Sequence, residues 1–554
     1  MKLPLTPLCI LAMMSAFDLG TDAAPTIPPV VTPSNALLPQ NSLLWGQGGE
    51  KWTPQSRLPD FSHAGYHGGQ EPPVVQVVKN VKTDFGAKGD GKTDDSLAFE
   101  RAIAGTDNGA LLIPAGRYKL TRVLEIHKGN LVLRGEGPEK TVLEFSESLR
   151  TAGPRQKPDG DWNFNRALAQ PELPSANQAP PFKPDDDWRF RGGYIWVEGT
   201  DEGIHLTDLT APARRGDTQL KLANTAGIVP GQFVRLLQFD DAQHTLGRHL
   251  HADQVDPGPQ TYERVTNKFI DWVAQVTAVD GNTLTLDRPL RTDIRLAWKP
   301  QLWSYQPTVQ EVGLENLGFV FPGKTYPGHL KEEGFNATYF KQVANCWMRN
   351  IWVTDADIAF NFEWMVRFST IENVRTLAKV RREDIGRWSG SGHHAIQMAY
   401  FVQDCLATRF RFDTHYVHDI TVDTLVSGNV FSQGSGLSVN FDHHRGASYE
   451  NLFSDIDLGR PDYMWASSGK PENGPPTGVR ETFWNIRATG NLPKQPNWVQ
   501  MNLIGTGQTA QQTTDKLWSE PLSPALIFPR DLHEAQRARR LQGVSSTRTD
   551  QRQP

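Results

Sequence analysis

A chain of 554 residues with a net charge of -5 offers no basic surface for nucleic acid, and 21% charged residues is too few for wholesale disorder. A mean hydropathy of -0.48, with no internal apolar run of membrane-spanning length, argues against an integral membrane protein. The 48 glycines and 39 prolines follow no collagen-like period and predict many turns between short elements.

In chain order, Met1-Lys2 precedes an apolar stretch, Leu3 to Phe17, and small residues at Ala23 and Ala24. This reads as a secretory signal peptide over 1–23, so the mature chain is expected to be extracellular or periplasmic. Cys9 leaves with it, and Cys346 and Cys405 remain, so stability must come from packing rather than disulfides. Residues 24–79 form a leader and a Gly- and aromatic-rich segment. An N-terminal module follows over 80–204. There Asp94-Asp95-Ser96 can cap a short helix with Leu97, Ala98 and Ile103 as its apolar face. The runs ALLIPAGRY, LEI, NLVLRGEG and TVLEF then read as strands between Gly-containing turns. A Pro- and Asp-rich loop occupies 150–190. Alternating strands around Asp280-Gly281-Asn282 predict a small antiparallel insertion over 205–295. The main repeat region spans 296–529. The tail 530–554, with Arg537, Arg539 and Arg540, is expected to be a short basic helix followed by disorder.

Within the main region, short apolar segments recur around a polar pivot: Asn316, Asn350, Asn373, Arg409, Asn429, Asn451 and Asn485, at spacings of 34, 23, 36, 20, 22 and 34 residues. The short intervals suit one coil of a β-solenoid and the long ones a coil with a loop. Recurring Asn is expected where side-chain amides stack between coils.

The run DFGAKGDGKTDD, the helix, LLIPAGRYKL and LVLRGEG resemble the opening of the pectate-lyase-like superfamily. The resemblance implies an all-β, right-handed parallel β-helix, secreted and acting on polysaccharides. Here it would carry a small antiparallel insertion and a short N-terminal helix cap. Lyases, hydrolases, epimerases and phage tail spikes share this opening, so it implies no single reaction. The segments RLPDFSHAGYHGG, FDHHRG, ENLFSDIDLG and ETFWNIR also resemble a poorly characterised group of secreted β-helix proteins.

Histidine is concentrated at His393, His394, His415, His418, His443 and His444. No pair has the HExxH spacing of zinc proteases, and no metal ligand is assigned. Residues one coil apart become neighbours about 4.8 Å apart, so the pivots act as a ruler. Counting back ten residues, with one residue of slippage at the last coil, puts Glu363, Asp419 and Asp442 in one acidic column. Asp419 and Asp442 would then lie on adjacent coils. Such a pair needs a shared proton, a basic neighbour or a cation, for which Ca2+ is the candidate. The same ruler stacks Cys346 and Cys405 two coils apart, about 9.6 Å, too far for a disulfide.

Two mechanisms fit. In a lyase acting on an acidic, uronate-containing glycan, His443 or His444 is the base, His415 or His418 its partner, and Arg445 neutralises the uronate carboxylate. In a glycoside hydrolase, Asp419 with Asp442, or Glu363 with Asp442, flank the scissile bond. Glu363, His393, His394, Trp364 and Trp388 are candidate substrate contacts. A third reading is a non-catalytic glycan-binding β-helix or a tail-spike-like protein. In each case the partner is a polysaccharide and the chain is expected to be monomeric, with no nucleic-acid or membrane partner.

Overall fold

Strand Val312–Val320 shows how a coil is built. Its first half pairs in parallel with Leu131–Arg134 and its second half with Thr141–Phe145. Asn316 between them takes the left-handed conformation at φ 58°. One segment therefore serves two sheets, bent at an asparagine, whose short polar side chain tolerates this region best after glycine. Trp347–Thr354 and Thr370–Leu377 repeat the arrangement in register. The amide of Asn350 donates to Asn316 at 2.8 Å, and that of Asn373 to Asn350 at 3.2 Å.

The computed structural model describes residues 38–152, 192–265, 267–323, 326–379, 390–496, 498–507 and 510–550. The signal peptide, most of the leader before the Gly- and aromatic-rich segment, nearly all of the loop over 150–190, and Trp388 lie outside these residues.

The bend column continues through Arg409, Gln433, Asp455 and Asn485, all left-handed. Asn429 and Asn451 are not in it. Val430 pairs with Leu452 and Ser432 with Ser454, which puts Gln433 and Asp455 at the bend. Asn429 and Asn451 occupy a second ladder four residues earlier. There Asn429 Oδ1 accepts the Cys405 amide at 3.0 Å, Asn429 donates to Asn451 at 3.0 Å, and Asn451 donates to Glu481 at 2.8 Å. Both columns reward a side chain that bonds along the stack, so asparagine alone does not separate them. Cys346 and Cys405 belong to this second ladder and are free and buried.

A second parallel sheet runs Leu124–Ile126, Ile195–Glu198, Asn336–Lys341, Ile358–Glu363, His394–Ala399, His418–Asp423 and Phe441–His443. Between the sheets, equivalent residues on successive coils stack. Phe431 and Phe453 lie 5.1 Å apart and Phe453 and Phe483 4.8 Å apart, nearly parallel. This is a parallel β-helix. Helix Ser96–Ala104 caps its first coils through Ala98, Phe99, Ala102 and Ile103, whereas Leu97 stays 53% exposed because it falls on the opposite side of the turn.

Six antiparallel strands between His205–Asp208 and Gln301–Ser304 form a separate sheet, with Gly281 left-handed in the hairpin turn. Buried ion pairs tie it to the coils. Arg291 reaches Asp404 at 2.6 Å and Glu450 at 3.3 Å, and Arg215 and Arg480 also hold Glu450. The basic tail is helical over Leu532–Asp550. Arg540 donates to the carbonyls of Ser62 and Gly68 at 3.0 and 2.6 Å, clamping the Gly- and aromatic-rich segment. Among the described residues no helix is long and apolar enough to cross a membrane.

Candidate active site

The site forms where the strands of the second sheet begin. His394 and His418 are in register on neighbouring coils. Their rings lie 5.0 Å apart, and His393 stacks on His394 at 4.2 Å. One position further along, Ala359 and Ala395 enter the core, and Asp419 follows them inward. Thr421 pairs with Asp442 and Val422 with His443, so Asp442 points away from the core while His443 points into it. The outward groups then meet. His394 Nδ1 lies 2.8 Å from Thr421 Oγ1, His418 Nδ1 lies 3.3 Å from Asp442 Oδ2, and His444 Nδ1 lies 3.6 Å from Asp423 Oδ2. From the later segment, the Ser468 amide donates to Asp442 Oδ1 at 2.8 Å, and its hydroxyl also reaches that oxygen.

A loop following Phe321 completes the cluster. The His329 ring lies 4.9 Å from that of His393 and 5.4 Å from that of His418. Glu332 Oε1 lies 3.1 Å from His393 Nδ1, and the Tyr326 hydroxyl donates to the same carboxylate. Asp357 anchors the loop by accepting the amides of Gly334 and Phe335, each at 2.9 Å.

Burial sets the charge of these groups. It pulls His418 down to about 3 and His329 to about 4, and it takes His394 well below its ordinary value. Burial alone would raise Asp442, but the adjacent imidazoles and the two Ser468 bonds outweigh it and hold the carboxyl at about 2. At neutral pH His418, His329 and His394 are thus neutral, beside an ionised Asp442.

The expected acidic column does not form. Glu363 aligns with Ala399 and, one coil on, with Asp423. The shift follows from the bend column, because ten residues before Gln433 is Asp423, whereas ten before Asn429 is Asp419. Asp419 faces inward, accepts the Tyr416 and Asn440 amides at 3.2 and 3.1 Å, and is raised to about 8 by burial. Glu363 accepts the buried Tyr339 hydroxyl at 2.6 Å. His443 is enclosed by Phe453, Phe483 and Trp498, with Nε2 3.6 Å from Glu481. His415 is buried in the turn before its strand, where its carbonyl accepts the Ser391 amide at 2.6 Å. Trp364 is covered by Tyr400, stacked at 4.5 Å, rather than presented to a ligand. Arg445, left-handed, donates to the Gly474 carbonyl beside His444.

His329, Glu332, Ser468 and Asp423 escaped the sequence reading. His329 stands alone, away from the histidine-dense stretch. Its only signal is the 34-residue interval from Asn316 to Asn350, which requires a loop. His329, His393 and His418 each offer one ring nitrogen within 4.8 Å of the others. That nitrogen set does not resemble the six to eight oxygens preferred by Ca2+.

Residues 78–159 match the family described as rhamnogalacturonase A/epimerase, pectate lyase-like. The pre-neck appendage protein of Bacillus phage B103 is 33% identical over 106 residues, 18% of this chain and 11% of that protein. Alginate lyase 7 of Azotobacter vinelandii is 39% identical over 75 residues, 12% of this chain and 9% of that enzyme. The chain thus spans about a tenth of the length of these relatives. A solved tailspike, gp49 of Pseudomonas phage LKA1, aligns over 79% of this chain and 69% of its own, with 11% identity and a TM-score of 0.41. Residues 78–159 are thus similar to a pectate-lyase-like module, and they open a chain whose coils stack as a parallel β-helix.

Proposed function

We propose that the protein is a secreted, monomeric carbohydrate-active enzyme that cleaves an acidic, uronate-containing polysaccharide by β-elimination at the histidine cluster. The observation that carries this reading is His444. Its side chain is 27% exposed, its Nδ1 faces Asp423, and it is followed directly by the cationic Arg445. Arg445 offsets the charge of the uronate carboxylate and acidifies the C–H beside it. His444 takes that proton through Nε2. The electron pair released forms the ring double bond as the glycosidic C–O bond breaks, and the departing oxygen is protonated from water. Asp423 keeps the imidazole in the required tautomer. The hydrolase reading is weaker, because Asp419 and Glu363 are both committed to buried partners.

A second reading, glycan binding without turnover, is favoured by the phage appendage proteins that match the N-terminal module. Incubation with a polysaccharide panel separates the two. Ultraviolet absorbance from unsaturated uronate appearing together with new reducing ends supports elimination, and new ends without absorbance mean hydrolysis. Binding with neither product establishes the second reading.

A further inference from the structure

The chemistry proposed above uses His444 and Arg445 and leaves four imidazoles, those of His329, His393, His394 and His418, and two buried carboxylates without a role. Their arrangement is specific. The rings of His329, His393 and His418 form a triangle with centroids 4.9, 5.2 and 5.4 Å apart. A metal held tetrahedrally by three imidazole nitrogens at about 2.0–2.1 Å sets the ring centroids about 5 Å apart. Two of the three rings also have a carboxylate at Nδ1, Glu332 at 3.1 Å from His393 and Asp442 at 3.3 Å from His418. A carboxylate on one ring nitrogen fixes the tautomer and turns the other nitrogen towards a metal, the usual outer arrangement of histidine ligands.

Charge balance gives an independent argument. Glu332 and Asp442 are both fully buried. Among the described residues neither lies within ion-pair distance of Lys or Arg, and Glu332 Oε2 accepts no hydrogen bond. Two buried carboxylates among imidazoles are costly unless a cation shares the site. A single divalent ion balances both.

We infer that His329, His393 and His418 form a binding site for one divalent transition ion of the zinc class, with Glu332 and Asp442 as its outer carboxylates. Imidazole nitrogen suits zinc, cobalt or nickel and not calcium or magnesium. Three protein ligands leave a fourth position for water or a sugar oxygen, which is the open form rather than the closed structural one. His394, stacked on His393 and bonded to Thr421, walls the site without joining it. The inference goes beyond the elimination reading and stands without it, since binding is measured with no substrate present.

The test uses the full chain, stripped by dialysis against a chelator and titrated with Co2+ and then Zn2+. One ion per chain is expected, with visible Co2+ bands of a four-coordinate nitrogen and oxygen site that Zn2+ displaces. His329→Ala, on the half-buried loop, is expected to keep the folded circular dichroism spectrum and abolish the bands. Glu332→Gln is expected to weaken Co2+ affinity about 10–100-fold. Wild-type protein that takes up no Co2+ or Zn2+ overturns the site. A folded His329→Ala protein that binds Co2+ as tightly as wild type overturns it equally.

Discussion

Asp442 and Ser468 meet across 26 residues of chain, the Ser468 amide donating to the Asp442 carboxylate at 2.8 Å and its hydroxyl closing on the same oxygen. The other carboxylate oxygen faces His418 at 3.3 Å. One side chain therefore fastens the segment after the last strand of the second sheet to the centre of the histidine cluster. Asp442→Ala leaves the buried Ser468 amide without its acceptor and its hydroxyl with only His418 Nδ1, at 3.3 Å. It is expected to lower stability by about 1–3 kcal/mol in denaturant unfolding. Asp442→Asn keeps an oxygen for Ser468 and is expected to recover much of that stability.

His443 and His444 are adjacent in sequence and have opposite roles, which gives a paired test. His444→Ala is expected to fold normally and lose about 10²–10⁴-fold in turnover on the substrate identified by the panel. His443→Ala opens a cavity among Phe453, Phe483 and Trp498, and is expected to lower stability by about 3–5 kcal/mol. Its turnover per folded molecule, measured below its unfolding midpoint, stays near wild type. The opposite pattern removes His444 from the mechanism.

Glu450 provides a pH dependence remote from the cluster. Burial would raise its carboxyl, but Arg215, Arg480 and Arg291 outweigh burial and bring it to about 2 from an ordinary value of 4.5. The folded state therefore binds this proton less readily than the unfolded chain. The contribution to stability is present above pH 4.5 and is lost as pH falls towards 2. It is on the order of 3 kcal/mol. Glu450→Gln is expected to flatten that part of the stability–pH curve while lowering stability at neutral pH by about 3–5 kcal/mol, because three arginines lose their shared anion. An unchanged acid limb excludes Glu450 as its source.

The terminal clamp is testable by proteolysis. Arg540→Ala removes a charged donor from the Ser62 and Gly68 carbonyls. It is expected to cost about 1–3 kcal/mol and to expose the chain between Trp45 and Gly69 to cleavage well before the coils are cut.

Much of this architecture can be read from residue patterns. Asn316, Asn350 and Asn373 mark a true structural column, because a left-handed bend repeated on every coil selects asparagine. The misplaced acid has one cause. Asn429 and Asn451 satisfy a different column by the same chemistry, and taking them as bends moves the predicted acid from Asp423 to Asp419. Cys346 and Cys405 are legible because Asn350, Asn373 and Arg409 are real bends. His329 and Glu332 were not legible. They come from a loop whose path over the second sheet is fixed by Asp357 and by packing, and no periodicity in the chain encodes that path.

Because each outward position is set by counting residues along a coil, the spacing within strands and the length of loops carry different evolutionary freedom. An added residue in the loops that lengthen some coils leaves the register of His394 with His418, and of Thr421 with Asp442, intact. One residue gained or lost between a bend and the following strand of the second sheet would send a whole row of side chains to the opposite face. Diversification of this scaffold should therefore proceed by loop insertion and point substitution, with strand length held fixed across lineages that keep the site.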